Sequence, residues 1–237
     1  MKYIVILSAF LIFLFSSFLY IFPIFGAVVC PSCFGFVEVE GGIYIDASLD
    51  ADLEKDKILG NLDAARLLLK EVYVEVEAPL PTVFFCVSNN CATYLGTRGE
   101  KASSYGHWAI VVYRDGNSPV ILAHELSHIE IGFRLGFFNM SSVPIWFDEG
   151  LAVVVSQDRR YLNVDPSGRL SCKEGVSGAV ITDLDEWWRR ASTGDVGVYS
   201  SAACEVIKWM NRRGNEGSLV RILDVLRSGE SFDVAFQ

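Results

Sequence analysis

The segment PVILAHELSH, residues 119–128, decides how the rest of the chain is interpreted. Ser118 is a typical helix-capping residue, and Pro119 suits the first turn of a helix, where no amide donor is needed. We therefore expect a helix that begins here and runs to about Leu135. Gly136 belongs to the residue type that most often ends helices, so it is the predicted stop.

Two histidines stand four residues apart in this predicted helix. A helix advances about 100° per residue, so His124 and His128 lie about 40° apart on one face and both imidazoles reach a single ion. Glu125 projects beside that ion without binding it, where a carboxylate acts as a general base. Because the chain has only 3 histidines and two are in this motif, we predict a Zn²⁺ site. The alternative is a set of surface hydrogen bonds.

A third protein ligand is predicted in the segment WFDEGLA, residues 146–152. Catalytic zinc sites use three protein ligands and leave the fourth position for water. Glu149 follows His128 by 21 residues, which is far enough for the chain to turn and lay a second helix beside the first. The small residues Gly150 and Ala152 favour a close approach of these helices. The alternative is that Glu149 only stabilises a helix N-terminus through the helix dipole.

The remaining periodicity predicts strands in the N-terminal half and helices after them. We expect strands at residues 43–46, 82–87 and 109–113, and helices at about 50–72, 119–135, 142–156, 199–213 and 218–228. Residues 157–178 are polar and rich in turn-forming residues. The order, strands first and helices afterwards, predicts an α+β domain with segregated halves.

The N-terminus carries an apolar run, Tyr3–Val29, without a charged residue. This run exceeds the roughly 20 residues that span a bilayer and the shorter apolar core of a signal peptide. We predict an uncleaved transmembrane signal anchor at residues 1–29, with a cleaved signal peptide as the alternative. A juxtamembrane linker at 30–42 and a single folded domain at 43–237 would follow. Lys2 favours a membrane-anchored, extracytoplasmic domain (periplasmic or at the cell surface), or a secreted one if the leader is removed.

The 6 cysteines fit an oxidising compartment, although their number does not fix their pairing. Cys86 and Cys91 flank a short turn and are the pair easiest to close, and Cys172 and Cys204 are a candidate long-range bridge. Cys30 and Cys33 have the C-x-x-C spacing of redox and metal sites, but their expected place just outside the membrane favours a local disulfide. Reduced, buried cysteines are the alternative if the domain is cytoplasmic.

The charge of the chain argues against one class of partner. Its formal net charge is −9 at pH 7, and no cluster of basic residues stands out. A nucleic-acid partner is not expected, because binding would require Lys and Arg side chains that neutralise phosphates.

Together, the two motifs resemble those of the gluzincin metallopeptidases, in which a His-Glu-x-x-His helix precedes a Glu-bearing helix. More narrowly, the chain is similar to the compact peptidase-MA-like metallohydrolases of bacteria, in which a Trp-x-x-Glu-Gly-x-Ala motif carries the third ligand. The resemblance covers residues 120–232. It implies a zincin-like catalytic domain made of N-terminal strands and a helix, the motif helix and a C-terminal helical half.

Residue by residue, the resemblance implies His124, His128 and Glu149 as zinc ligands and Glu125 as the general base. It also implies that Tyr199 opens the following helix and donates a hydrogen bond to the oxyanion. The alternative for Tyr199 is an aromatic residue that packs into the core.

Three further predictions concern the surroundings of the site. Asp148 either orients a ligating histidine or caps a helix. Residues 158–161 are expected to form a solvated charge cluster, with substrate binding as the alternative. The strand at 109–113 is expected to border the cleft with a free edge that pairs with an extended peptide. His107, which precedes it, is expected at the surface, with a place in the cleft as the alternative.

These features predict a zinc-dependent peptidase that hydrolyses peptide bonds with a metal-activated water and Glu125 as the general base. Its expected partners are a peptide or protein substrate and, through the N-terminal helix, a membrane. Two alternatives stay open: a non-catalytic, membrane-anchored peptide-binding protein on a zincin scaffold, and a metallohydrolase of non-peptide amides or esters.

Overall fold

The computed structural model describes residues 22–97, 99–176, 179–213 and 217–236, together with residues 17 and 19. The fold is mixed α+β, as the sequence predicts. The N-terminal half builds a five-stranded sheet, and helices dominate the remainder. The predicted segregation is incomplete, because a separate two-stranded hairpin lies in the C-terminal half.

The elements are numbered in chain order. The strands are β1 (Phe36–Glu40), β2 (Ile43–Asp46), β3 (Thr82–Cys86), β4 (Ala102–Tyr105), β5 (Ala109–Tyr113), β6 (Leu162–Val164) and β7 (Leu170–Cys172). The helices are α1 (Pro23–Val29), α2 (Ala51–Val72), α3 (Asn89–Leu95), α4 (Pro119–Asn139), α5 (Ile145–Ser156), α6 (Leu184–Ser192), α7 (Val196–Arg213), α8 (Ser218–Arg227) and α9 (Phe232–Phe236). Short 3-10 turns occur at Pro31–Phe34 and Met140–Ser142.

The main sheet has the strand order β1-β2-β3-β5-β4. β2, β3 and β5 run parallel, while β1 and β4 pair antiparallel at the two edges. Side chains alternate along a strand, so Val83 and Phe85 of β3 pack with α2 and α4, whereas Phe84 and Cys86 pack with α1 and α3. Helices therefore cover both faces, which explains why β5 is apolar and buried along its whole length.

The motif helix α4 begins and breaks where the sequence predicts. The Ser118 hydroxyl accepts a hydrogen bond from the Ile121 amide at 3.4 Å, and Pro119 occupies the first turn. The backbone leaves the helical conformation at Gly136, where φ is 70°. Glycine adopts this left-handed region without the steric cost that other residues incur, so the sequence signal and the break coincide.

A buried ion pair attaches α4 to the segment that follows α2. The fully buried Glu130 accepts hydrogen bonds from the amides of Glu77 and Ala78, both at 2.9 Å, and from Arg134 Nε at 2.6 Å. Arg134 also donates to the Glu77 carboxylate at 2.8 Å. A buried charge that loses its partner is strongly destabilising, so this network holds α4 in one position.

Helix α5 approaches α7 closely at Gly150. A Cβ atom added to Gly150 would lie 2.7 Å from both the carbonyl carbon and the carbonyl oxygen of Ala202. The sequence predicts that the small residues of α5 let it lie close to α4, and α5 does pack against α4. Gly150 itself meets α7, so α7 fixes the position of α5 from the side.

Several elements were not predicted: α3, α6, β4 and the β6–β7 hairpin, which lies within the turn-rich residues 157–178. Residues 30–42, expected to be a linker, contain β1, which pairs with β2 in the sheet. Helix α7 begins at Val196, three residues before the predicted start. Short strands depend on backbone hydrogen bonds to a neighbouring strand, and local periodicity does not reveal that neighbour.

The predicted transmembrane segment, residues 1–29, lies mostly outside the described residues. Its last part forms α1, in which Ile24 and Ala27 are buried and Phe25 stacks on Trp108 with ring centroids 4.8 Å apart. These residues pack against the sheet and so belong to the folded domain. Within the described ranges, no helix combines the length and the apolar character needed to cross a membrane.

The three predicted disulfides are confirmed: Cys30–Cys33, Cys86–Cys91 and Cys172–Cys204. Cys172–Cys204 joins the β6–β7 hairpin to α7. Such bonds persist in oxidising compartments, so they indicate an extracytoplasmic environment.

A test of the α5–α7 contact compares two Gly→Ala substitutions in helices. Gly150→Ala should lower the free energy of unfolding by about 1–3 kcal/mol, because its methyl group would overlap the Ala202 backbone. Gly60→Ala in α2 is the control: nothing lies within 4 Å of its added Cβ, so the better helix former should raise stability by up to about 1 kcal/mol. Chemical denaturation of the full chain measures both, and equal effects at the two positions would contradict the proposed close contact.

Candidate metal centre

Two helices bring the three predicted ligands together. α4 carries His124 and His128, whose ring centroids are 4.9 Å apart. α5 carries Glu149, whose Oε2 lies 3.3 Å from His124 Nε2 and 4.0 Å from His128 Nε2. One ligand atom from each of the three side chains lies within 4.8 Å of the other two.

This group fits a divalent metal ion. Ligand atoms about 2.1 Å from a tetrahedral zinc are about 3.4 Å from one another. The 3.3 Å between Glu149 and His124 matches this spacing, and the 4.0 Å between Glu149 and His128 is somewhat longer. Imidazole nitrogens combined with a carboxylate oxygen suit zinc and related transition metals. Glu149 is only 7% exposed, and a buried carboxylate requires a compensating positive charge. A metal ion among the three side chains would supply that charge.

Asp148 orients His128. The Nδ1 atom of His128 donates a hydrogen bond to Asp148 Oδ1 at 2.9 Å, which leaves Nε2 for the ligand group. Burial alone would lower the pKa of His128, but the charge and hydrogen bond of Asp148, together with Glu149 and Glu125, raise it to about 10. The same excess of negative charge favours a cation at this point.

Glu125 lies beside the ligand group and is 8% exposed. Burial raises the pKa of its carboxyl, and the neighbouring His124 and His128 partly oppose this rise. The Ser104 side chain on β4 lies near the Glu125 carboxyl and also opposes the rise of its pKa. A buried carboxylate is therefore held between the histidine pair and a strand at the edge of the sheet.

Tyr199 belongs to an aromatic cluster next to the ligand group. Its ring stacks on Tyr161 with centroids 4.9 Å apart and meets Trp187 edge-on at 5.6 Å. Burial raises the pKa of the Tyr199 hydroxyl above its usual value, and the nearby carboxylate of Glu149 adds to the rise. The hydroxyl is therefore a protonated hydrogen-bond donor within electrostatic range of Glu149.

Residues 158–161 form the predicted solvated charge cluster only in part, because Arg159 and Arg160 are exposed but Asp158 is buried. Asp158 is 3% exposed, and its carboxylate accepts hydrogen bonds from Arg160 Nε at 2.9 Å and Nη2 at 2.5 Å. The Arg160 guanidinium also lies over the ring of Tyr161, 5.0 Å from its centroid. These contacts fix Tyr161 beside Tyr199, and the sequence analysis missed Tyr161 because flanking charges conceal its burial.

The strand that borders Glu125 is β4, which corrects the prediction for residues 109–113. β5 lies inside the sheet with β3 and β4 on its two sides, so it has no free edge. Ser104 was missed because the residues of β4, ASSY, carry no strong strand signal. His107 is not part of the ligand group, and its ring meets Phe133 of α4 edge-on at 6.0 Å.

No protein-family model, curated protein or solved structure matches the chain. The chemistry of the site is therefore argued from its own side chains and distances. These establish a His-His-Glu group that is able to hold a metal ion.

The role of Asp148 is testable with a pair of Asp→Asn variants. Asp148→Asn should weaken Zn²⁺ binding by about 10–100-fold, because the amide no longer holds the His128 ring as a charged acceptor. Asp185→Asn is the matched control, since Asp185 is an exposed residue in the first turn of α6. Competition with a zinc chelator measures both affinities. Equal affinities in the two variants would exclude an orienting role for Asp148.

Proposed function

We propose that this protein is a zinc metallopeptidase of the gluzincin type with a zincin-like catalytic domain. His124, His128 and Glu149 hold the zinc, and Glu125 is the general base for the attack of water on a peptide bond. Tyr199 stabilises the oxyanion that forms during the attack.

The convergence of His124, His128 and Glu149 carries this proposal. A structural zinc site usually closes with a fourth protein ligand. Among the described residues, no further histidine or cysteine joins the group as a fourth ligand, and each cysteine is in a disulfide. A three-ligand group leaves one position for water, and a base has a use only where that water reacts.

When bound by these ligands, zinc lowers the pKa of water toward 7 and polarises the carbonyl of the substrate. Glu125 accepts the proton of the attacking water and delivers it to the departing amine. The nearby Ser104 side chain favours the ionised carboxylate of Glu125, and the burial of Glu125 limits competition from bulk water.

Tyr199 is suited to donate a hydrogen bond to the oxyanion. Its ring is held between Tyr161 and Trp187, and its helix packs against the Glu149 helix at Gly150. A donor that is fixed before the reaction stabilises developing charge without a reorganisation cost.

The position of β4 supports a peptide or protein as the substrate. β4 is the last strand of the sheet, and its Ser104 contacts the proposed base. An extended peptide that pairs with such an edge gains backbone hydrogen bonds as an added strand. Its scissile bond would then run past Glu125.

The three disulfides support an exported domain. We propose that the apolar residues 3–22 direct this export and anchor the domain to a membrane. The substrate would then be met outside the cytoplasm.

Glu125 and Glu149 have separable roles in this proposal. Purified Glu125→Gln should keep about one zinc per chain and lose hydrolysis by roughly 10²–10⁴-fold, because the ligands remain but the base is gone. Glu149→Ala should lose or weaken zinc binding, because a ligand is removed. Metal analysis of the full chain in detergent, with mass spectrometry of a mixture of peptides, measures both properties.

Other outcomes of that experiment would contradict the peptidase proposal. Absence of zinc from folded wild-type protein would exclude the enzyme. Bound zinc with peptide binding that Glu125→Gln leaves unchanged, and with no cleavage, would favour the non-catalytic alternative. Cleavage of non-peptide amides or esters alone would favour the other metallohydrolase class.

Two tyrosine variants separate the hydroxyl of Tyr199 from that of its stacking partner. Tyr199→Phe should lower kcat about 100-fold with little change in KM, because a donor used only in the transition state is lost. Tyr161→Phe, which removes the neighbouring hydroxyl, should retain most activity. Steady-state kinetics on one cleaved peptide measures kcat and KM for both variants. A larger loss of kcat in Tyr161→Phe than in Tyr199→Phe would assign the oxyanion hydrogen bond to Tyr161.

A further inference from the structure

A second candidate site lies where the parallel strands of the sheet end. The loop after β2 leads to α2 on one face of the sheet, and the loop after β3 leads to α3 on the other face. The two connections therefore diverge at the carboxyl ends of adjacent parallel strands. In open sheets with parallel strands, a crevice at such a point is the usual location for a ligand.

The crevice contains a cavity of about 550 Å³, a size typical of small-molecule sites. Ile45, Phe85 and Ile58, from β2, β3 and α2, form its apolar floor. Polar groups stand around this floor, including the amide side chains of Asn89 and Asn90 at the start of α3. An apolar floor with a few converging polar groups is the composition expected of a binding pocket.

Two of the four charged groups in and beneath this cavity are acidic, and both have partners. Asp46 accepts hydrogen bonds from the Ser48 amide at 3.0 Å, from the Ser88 amide at 3.1 Å and from the Ser88 hydroxyl. Glu54 lies 4.0 Å from the ammonium group of Lys57. Both carboxylates at the cavity, Asp46 and Glu54, therefore already have partners within the protein.

Arg114 is the charged residue at the cavity whose side chain is available to bind a ligand. Its Nε donates to the Val87 carbonyl at 3.1 Å, which holds the guanidinium at the rim. Across the parts of the chain that the structure describes, Arg114 pairs with no carboxylate. The remaining guanidinium nitrogens are arranged to bind a planar or tetrahedral anion through two parallel hydrogen bonds.

We propose that this cavity binds a small molecule through a carboxylate or phosphate group held by Arg114. The apolar floor accommodates the rest of the ligand, and the asparagine amides supply further donors. This site is separate from the metal centre. Asn117 at its rim stands two residues before α4 begins, and His124 lies five residues further along that helix than its first residue, about 7.5 Å along the axis.

Calorimetric titration of the metal-free full chain in non-ionic detergent tests the proposal. Metal is removed with a neutral chelator and dialysis, so that no anion binds to zinc. Inorganic phosphate and succinate are titrated separately at constant ionic strength. Saturable binding of phosphate alone would identify a phosphate ligand, and saturable binding of succinate alone would identify a carboxylate ligand.

Arg114→Gln should weaken this binding by roughly tenfold or more, because a charged hydrogen-bond donor is lost. Asn90→Ala, a change at the exposed start of α3, should also weaken it, because one of the asparagine donors is lost; it serves if Arg114→Gln does not fold. The matched control is Arg169→Gln, since Arg169 lies far from the cavity in sequence and pairs with Asp165 beside the β6–β7 turn. Absence of binding by both anions, or binding that the cavity variants leave unchanged, would overturn the proposal.

Discussion

The candidate site depends on the close approach of α5 to α4. This approach buries the Glu149 carboxylate 3.3 Å from the His124 ring. A buried carboxylate is costly unless positive charge and hydrogen bonds surround it. The chain meets this requirement with two histidines on one face of α4 and, in our proposal, a zinc ion. It holds α5 from the other side through the backbone contact between Gly150 and Ala202, where no larger residue fits.

The histidine-bearing helix is held just as firmly. Its Glu130 and Arg134 bind the segment after α2 through a buried ion pair, and Ser127, inside the motif, pairs with the buried hydroxyl of Tyr73 at 3.2 Å. One helix thus carries the metal-facing side chains and the polar groups that fix it to the fold. Rigid support of this kind is what a metal site needs, since small displacements of ligands reduce affinity and activity.

The sheet contributes to the two candidate sites through its edge strand and its strand ends, and its central strands form the core. Its central strands are covered by helices on both faces and serve as the core. Its edge strand β4 reaches the proposed base through Ser104, and the carboxyl ends of its parallel strands open the cavity at Arg114. α4 begins at this cavity and then carries the histidines, so one helix borders both candidate sites.

Local sequence signals were enough to predict the helix that starts at Ser118 and breaks at Gly136 and to identify the His-His-Glu group. The short turn between Cys86 and Cys91 indicated one disulfide, whereas the complete pairing of the six cysteines came from the structure. Three other features became visible only in the folded molecule: β4 forms the edge beside Glu125, Tyr161 stacks on Tyr199, and Gly150 meets α7. Each of these depends on contacts between segments distant in the chain, and the periodicity of a single segment does not encode its partner.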